Sequence, residues 1–468
     1  MNIQSLFQTD LNVEIQGIQI DNRRIQPGDL FVCIKGYTVD GHQFAKQAEE
    51  AGAVAIVSEY QVEGVSIPQI IVGDTSQELP RLAHLFYEQP THHLNLFGVT
   101  GTNGKTTTAY ILEHLLQSLK GKTGYIGTNG IRFGETFIEP KNTTPEPLHL
   151  QQIFKQMMDE QVTEVAIEVS SHALELHRVD YCPFQVGIFT NLTPEHLDFH
   201  PTMEEYYQAK LKLFHQLTPS GTAVINTDDA YGQRLAHELQ PNHRVLTYGI
   251  EKSADFQASH LQMTKNGTVF TLTSPEGEFT VQTILLGTFN VYNTLGAMTA
   301  LYSQGISVSA IVEAITTLNP IDGRMELINE GQDFTVIVDY AHTPDGVEKV
   351  LEFVQTIEKH QLTVVIGCPG DRDRTKRPVI ADLSVQYADR VIFTTDDPHS
   401  EDPEAILEEM TTHLTTQHHQ VIVDRTQAIG EAICQAQKND VILIAGRGHE
   451  KIQYWKNKHI ELDHFTVI

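Results

Sequence analysis

The sequence predicts an α/β protein of three domains: a small α/β N-terminal domain, a central phosphate-loop ATPase with a mainly parallel sheet, and a C-terminal Rossmann-like, doubly wound sheet. Three observations lead there. An apolar run, Leu96 to Val99, passes through a loop holding Gly101 and Gly104 into an apolar-periodic helix that opens at Lys105 and runs to Leu119. Four later runs, FTVIVDYAHTP, LTVVIGCPGDRDR, RVIFTTDDPHSEDP and DVILIAGRGHE, each turn at once from apolar to polar, with helical patterns between them. The chain of 468 residues is also too long for a single core. The expected boundaries are 1–88, 89–320 and 321–468.

Taken in order, the first domain reads as strands near Val13 to Ile20, Leu30 to Ile34, Ala53 to Val57 and Gln69 to Val72, with a helix from Phe44 to Ala51. Asp21 and Arg23 are placed to pair within its first polar turn. Glu88 to Asn95, with Pro90, reads as a linker. In the second domain the strands TEVAIEVS and VGIFTNL run into Glu168, Ser170, Ser171 and His172, and into Asn191, Thr193, Glu195, His196 and Asp198. Open parallel sheets bind ligands beyond the carboxyl ends of their strands, so these groups are expected to face the phosphates. The helical pattern MEEYYQAKLKLF carries Lys210 and Lys212, and a lysine on a helix is ordinarily a solvated surface residue. Gly287 to Leu301 reads as a loop entering a buried helix, with Asn290 and Asn293 near its start. In the last domain the parallel strands bring Asp339, His342, Arg372, Asp396, His399, Arg447, His449 and Glu450 to one edge. There RDRTKR packs four cations into six residues, which predicts an anionic group nearby.

A net charge of −28 argues against nucleic acid or anionic membranes as partners. No stretch approaches eighteen consecutive apolar residues, so a cytoplasmic monomer without membrane insertion is expected. Cys33, Cys182, Cys368 and Cys434 lie far apart without metal or disulfide spacing and read as buried thiols.

The chemistry starts at the phosphate loop, Gly101, Thr102, Asn103, Gly104, Lys105, Thr106 and Thr107. Glycines let backbone N–H groups close on phosphate oxygens, the helix N-terminus adds partial positive charge, Lys105 supplies a point charge and the Thr106 hydroxyl can ligate Mg²⁺. The general pattern would put glycine at 99, where this chain has Val99, with Gly98 and Gly101 to either side. ATP or GTP binding follows. A nucleotide site beside a second sheet rich in acids and bases implies a two-substrate reaction driven by phosphoryl transfer, which leaves kinase, motor and ATP-dependent ligase open.

GTNGKTTT, NTTP (Asn142 to Pro145), EVSSH (Glu168 to His172), TNLTPEHLDFH (Thr190 to His200), the Y-x-x-A-K pattern at Tyr206, FNVYN, GRME (Gly323 to Glu326), DYAHTPD, GDRD and GHE occur in that order. Together they resemble the Mur ligase family, and within it the UDP-N-acetylmuramoyl-tripeptide synthetases, over nearly the whole chain. The resemblance implies an ATP-dependent ligase that adds the third residue to UDP-N-acetylmuramoyl-L-alanyl-D-glutamate through an acyl phosphate, with Mg²⁺. It implies that Lys105, His196 and Lys210 are catalytic, and that Thr106, Glu168, His196 and Lys210 form the metal site. Lys210 is the lysine that the family carbamylates. Asn290, Asn293, Arg324 and Asp339 are implied around the nucleotide, and Thr143, Thr144, Ser170 and Arg178 on the muramoyl-dipeptide. The uridine end is implied near Asn22 and the 37–42 turn; serine is usual at the position of Asn22.

The third-residue pocket departs from the members that add meso-diaminopimelate. They carry D-N-P-R, in which arginine forks onto the distal carboxylate. This chain reads Asp396, Asp397, Pro398, His399, and an imidazole offers no such fork. With Glu401 and Asp402 close in sequence, the pocket is expected to be acidic and to suit a side chain ending in an ammonium. That favours L-lysine, with meso-diaminopimelate next if Arg372 or Arg447 replaces the clamp. Arg372, Gly446 and Glu450 match positions that hold the amino acid. The alternatives are another ligase of the superfamily, such as folylpolyglutamate synthetase, and a nucleotide-binding regulator without catalysis.

Overall fold

The computed structural model describes all residues except 37–38, 265–266, 457 and 463–468. Three sheets divide the chain. The first has four parallel strands, Gly17–Gln19, Asp29–Val32, Ala55–Ser58 and Gln69–Ile71, in sequence order. All are shorter than the apolar runs that predict them. A helix not anticipated from the sequence, Thr75–Phe86, closes this domain. Asp74 caps it by accepting the N–H groups of Ser76 and Gln77, and Leu79, Leu82 and Ala83 are buried along one face, despite Pro80 in the second turn. The same helix reaches the central domain through His84, whose Nδ1 lies 3.4 Å from Gln151 Oε1 on the helix Pro147–Asp159. The linker contains Glu88 and Gln89 in the left-handed region, followed by a short 3₁₀ turn, Pro90–His93.

The central sheet has eleven strands. Its parallel heart places Asn95–Thr100 between Glu164–Glu168 and Phe184–Phe189. Outward lie Thr123–Gly127 on one side, and Leu217–Asn226, Arg244–Gly249 and Phe256–Thr264 on the other. Antiparallel strands extend both edges, Gly130–Phe133 with Thr136–Ile138 and Gly267–Ser274 with Gly277–Thr283, and the sequence reading did not foresee these. Because the phosphate-loop strand has a neighbour on each side, Glu168 and Asn191 emerge beside the loop on the same edge. The helix Lys105–Lys120 packs on this sheet and against Thr288–Ser303, joining Ile111, Leu112, Leu115 and Leu116 to Leu295, Met298 and Leu301 in one core.

The last sheet has six strands rather than four. Thr335–Asp339, Val441–Ala445, Leu362–Ile366, Arg390–Phe393 and His419–Val421 are parallel, with Glu326–Ile328 antiparallel at the edge. A two-stranded hairpin, Ile452–Trp455 with Lys458–Glu461, follows. Cys33, Cys182 and Cys368 are buried as expected, but Cys434 on the helix Arg425–Gln435 is exposed. Among the described residues no helix is long and apolar enough to cross a membrane.

Leu115 is fully buried between the phosphate-loop helix and its partner. Leu115→Ala is expected to cost about 3 kcal/mol through lost burial plus an unfilled cavity, read as a lowered urea midpoint.

Candidate active site

The phosphate loop takes the shape that its glycines permit. Gly104 has φ +84°, and a Cβ there would strike the Asn293 carboxamide; one on Gly101 would strike the Thr190 hydroxyl. Asn103 N–H donates to Asn191 Oδ1 at 2.9 Å, and Asn103 C=O accepts from Thr190 Oγ1 at 2.7 Å and Asn191 Nδ2 at 3.1 Å. The neighbouring strand end therefore moulds the loop. Lys105 turns its amine onto the loop carbonyls of Gly101 at 2.9 Å and Thr102 at 2.8 Å.

Lys210 is not a surface residue. On the helix Met203–His215 it is 2% exposed, and its Nζ donates to the same Gly101 carbonyl at 2.8 Å while lying 4.5 Å over the Tyr206 ring. Burial, and next the Lys105 charge, push its pKa well below that of free lysine. The Lys105 amine is lowered too, by burial, with Glu168 and Glu195 opposing.

Two cavities meet at this loop, one of about 660 Å³ and one of about 550 Å³. Asn103, Gly104, Thr107 and Arg324 line both. The smaller one takes Asn290, Asn293 and Asp339 from the expected nucleotide set. Asn290 Oδ1 accepts from Asn293 Nδ2 at 2.9 Å, and Asp339 Oδ2 accepts Met325 N–H at 2.8 Å while burial raises its pKa. Arg324 donates to Thr106 Oγ1 at 3.0 Å and lies over the Tyr340 ring.

The larger cavity takes Thr102, Lys105, Thr106, Glu168, His196 and Lys210 on its central-domain side, with Thr143, Ser170 and Arg178 beside them. Thr106 Oγ1 donates to Glu168 Oε2 at 2.9 Å. His196 has φ +56°, a conformation that costs a non-glycine residue energy and is held by its surroundings. Its ring packs edge-on to His172 at 4.8 Å, and burial lowers the pKa of His196 to about 3 and that of His172 to about 4. Burial works against ionisation of Glu195, yet His342, whose Nε2 lies 3.5 Å away across the domain boundary, keeps its carboxyl well below the usual range. Asn103 also crosses that boundary, donating to Asp345 Oδ2 at 2.8 Å.

Arg372, Asp396, Asp397, His399, Gly446 and Glu450 line the far wall. Arg447 does not. It is fully buried, forms an ion pair with Asp397, lies 3.4 Å from Asp396 and 3.5 Å from Glu450, and donates to the Ile452 carbonyl at 2.6 Å. Of the other RDRTKR cations, Arg374 and Arg377 are engaged by Glu401 and Glu409. Glu401 is thus held within the domain, and Asp402 caps the helix Pro403–Thr411, so neither lines the pocket as the sequence suggested. His399 has φ +48° and its N–H donates to the Tyr454 carbonyl at 2.9 Å, which ties it to the C-terminal hairpin.

Four expected residues lie apart from these cavities; one is Gly101, whose carbonyl takes the Lys105 and Lys210 amines. Pro398 is buried behind the wall, its carbonyl against Gly370. Thr144 braces the strand end, donating to Glu168 C=O at 2.7 Å. Asn22 sits in the first domain, its Nδ2 donating to Gln47 at 2.8 Å next to the Asp21–Arg23 pair, which forms at 2.8 Å. Part of the 37–42 turn, residues 37–38, falls outside the described residues. The sequence reading did not single out Asp345, Tyr454, Tyr125 or Thr128. Their positions depend on which strands become neighbours.

Glu168 and Thr106 offer hard oxygen donors on one cavity wall, which fits Mg²⁺ sharing phosphate oxygens and water. Among the described residues no three His, Cys, Asp or Glu side chains cluster to hold a metal by themselves.

Three family models match consecutive parts of the chain: the catalytic domain of the Mur ligase family at residues 14–87, the Mur ligase middle domain at 99–301 and the Mur ligase glutamate ligase domain at 323–448. The UDP-N-acetylmuramoyl-L-alanyl-D-glutamate--2,6-diaminopimelate ligase of Geobacillus thermodenitrificans is 48% identical over 97% of this chain and 94% of its own length. The ligase of the same name from Listeria monocytogenes is 44% identical, over 96% and 93%. A solved structure bearing that ligase name superposes with TM-score 0.71 at 32% identity, covering 100% of this chain and 97% of its own. A folylpolyglutamate synthase of Mycobacterium tuberculosis shares the fold at TM-score 0.67 and 17% identity, covering 79% of this chain. Identity sustained from the first domain to the last, and not the phosphate loop alone, makes this chain a member of the Mur ligase family.

Proposed function

We propose that the chain is an ATP-dependent amide ligase of peptidoglycan precursor synthesis, joining a diamino acid to UDP-N-acetylmuramoyl-L-alanyl-D-glutamate in the cytoplasm. One observation carries this reading: a single cavity has Lys105, Thr106 and Glu168 on one wall and Arg372, Asp397 and His399 on the other. A carboxylate is a poor electrophile, so the substrate carboxyl is activated as an acyl phosphate by ATP, and the incoming amine then displaces phosphate to form the amide. Thr143, Ser170 and Arg178 hold the dipeptide, and Asn290, Asn293, Arg324 and Asp339 the nucleotide. Thr106 and Glu168, with His196 near them, hold Mg²⁺, which neutralises charge gathering between phosphate and carboxylate. Lys105 and the loop N–H groups orient the phosphates.

Lys210 fits the role of the carbamylated lysine. Only a neutral amine reacts with CO₂, and a buried amine beside a second ammonium favours the neutral form. The product is an anion, which removes the repulsion from Lys105 and any cation.

For the third residue the pocket favours L-lysine. Asp396, Asp397 and Glu450 surround Arg447, whose guanidinium is already engaged, so Arg372 is the remaining arginine on the wall and His399 stands where a fork would be needed. Burial holds the Asp397 and Glu450 carboxyls above the usual range, with Arg447 opposing, so an incoming ammonium would favour their ionised forms. The second reading, 2,6-diaminopimelate, is favoured by the names of the relatives.

With the nucleotide substrate and ATP, L-lysine is expected to be ligated with kcat/KM about 10-fold or more above meso-diaminopimelate, and His399→Arg to shift the ratio toward diaminopimelate. Mass analysis of the products reads both outcomes, and ligation of diaminopimelate alone would refute the L-lysine reading. Lys210→Ala is expected to lower kcat by roughly 100-fold. Wild-type activity is expected to fall when bicarbonate is excluded. It should fall again as pH drops, since protonation removes the amine that forms the carbamate; initial rates across pH with and without bicarbonate check both.

A further inference from the structure

Glu168 ends its strand fully buried, and its two carboxylate oxygens are not equivalent. Oε1 accepts the Tyr125 hydroxyl at 2.7 Å and the Thr128 N–H at 2.9 Å. Among the described residues Oε2 accepts only rotatable hydroxyls, from Thr106 at 2.9 Å and Thr128 at 3.3 Å. The arrangement follows from strand register. Tyr125 pairs with Ala166 on the adjacent parallel strand, so its side chain shares a face with Glu168 two residues on. Gly127 makes the room, because a Cβ there would collide with both Glu168 Oε1 and the Tyr125 hydroxyl. Tyr125 is itself fully buried, with the Arg132 guanidinium 4.4 Å over its ring; Arg132 also covers Tyr110 at 5.0 Å and reaches Glu113 at 3.3 Å. A cation over the ring draws electron density from the phenol and strengthens its O–H as a donor.

We propose that Tyr125 is a positioning residue that presents Glu168 to the catalytic Mg²⁺ through Oε2 alone. With two donors on Oε1, its lone pairs are already engaged. Thr106 and Thr128 can rotate their hydroxyl hydrogens aside, so Oε2 is the oxygen that a cation beside Thr106 can claim. Second partners of this kind set both the orientation and the basicity of a ligand. The inference rests on the reading of Glu168 as the metal carboxylate, and its test separates the two.

Mg²⁺ is titrated calorimetrically into the full chain with saturating ADP for wild type, Tyr125→Phe, Glu168→Gln and the double variant, with thermal midpoints taken without metal. Tyr125→Phe is expected to raise the Mg²⁺ dissociation constant about 10-fold, while adding nothing further in the Glu168→Gln background. Arg132→Gln, which keeps the hydroxyl, is expected to raise it about 3-fold, and serves if Tyr125→Phe does not fold. Equal losses from Tyr125→Phe in both backgrounds, or unchanged Mg²⁺ affinity in both the Tyr125→Phe and Arg132→Gln variants, would overturn the proposal. Unchanged affinity in Glu168→Gln would remove the metal-carboxylate reading itself, and the proposal with it.

Discussion

Two amines share one carbonyl. Lys105 and Lys210 both donate to Gly101 C=O, at 2.9 and 2.8 Å. Two ammonium ions so placed repel each other, and burial penalises each, so the arrangement is comfortable only when one of them is neutral or has been converted to an anion. That constraint fixes much of what surrounds it. The loop must expose the Gly101 carbonyl, which requires Thr190 to lie where a side chain on residue 101 would have been. The helix Met203–His215 must bring Lys210 over Tyr206 and under the loop. Glu195, held ionised by His342, then supplies negative charge that both lysines feel.

The last domain meets this centre through polar contacts, while Leu286, Met263 and Phe289 pack on its core with Val347 and Val350 beside the smaller cavity. Asn103 reaches Asp345, Glu195 reaches His342, and Arg324 reaches Thr106. All three join the phosphate loop, or the strand end that moulds it, to the C-terminal sheet or the segment leading into it. Such contacts are directional, so they fix the register between the two parts of the chain. Left-handed residues stand at the rim of the larger cavity: His196 and His399 on the walls, with Met325 and Asp371 beside them. Strain of this sort persists where neighbouring contacts over-determine the backbone, which is the case here: Asp339 receives the Met325 N–H, and Tyr454 receives that of His399.

Charge along the C-terminal wall of the larger cavity is organised in depth. Arg447 and Arg425 are buried beneath it, and Asp396 stays ionised against the cost of burial because both guanidiniums face it. Nearer the cavity, Asp397 and Glu450 are less fully compensated, and their pKa values rise with burial. Counting basic residues along the chain therefore misleads. Four cations in RDRTKR promised an anion site, but two are consumed internally by Glu401 and Glu409, and Arg372 is the one on the wall.

The sequence by itself determined the three-part α/β architecture and the phosphate loop, because these depend on local rules, whereas Lys210, Thr143, Arg178 and Arg324 were expected at a site only through the resemblance to the Mur ligase family. Glycine spacing sets a loop, apolar periodicity sets strands and helices, and parallel strands deliver their last residues to one edge. Strand order decided what the sequence could not show. Tyr125 meets Glu168 only because Thr123–Gly127 lies beside Glu164–Glu168, Lys210 meets Gly101 across more than a hundred residues, and Arg447 turns inward rather than toward the pocket. Burial and long-range pairing are properties of neighbours in space, so a lysine that reads as solvated and an arginine that reads as a clamp each took its role from the packing around it.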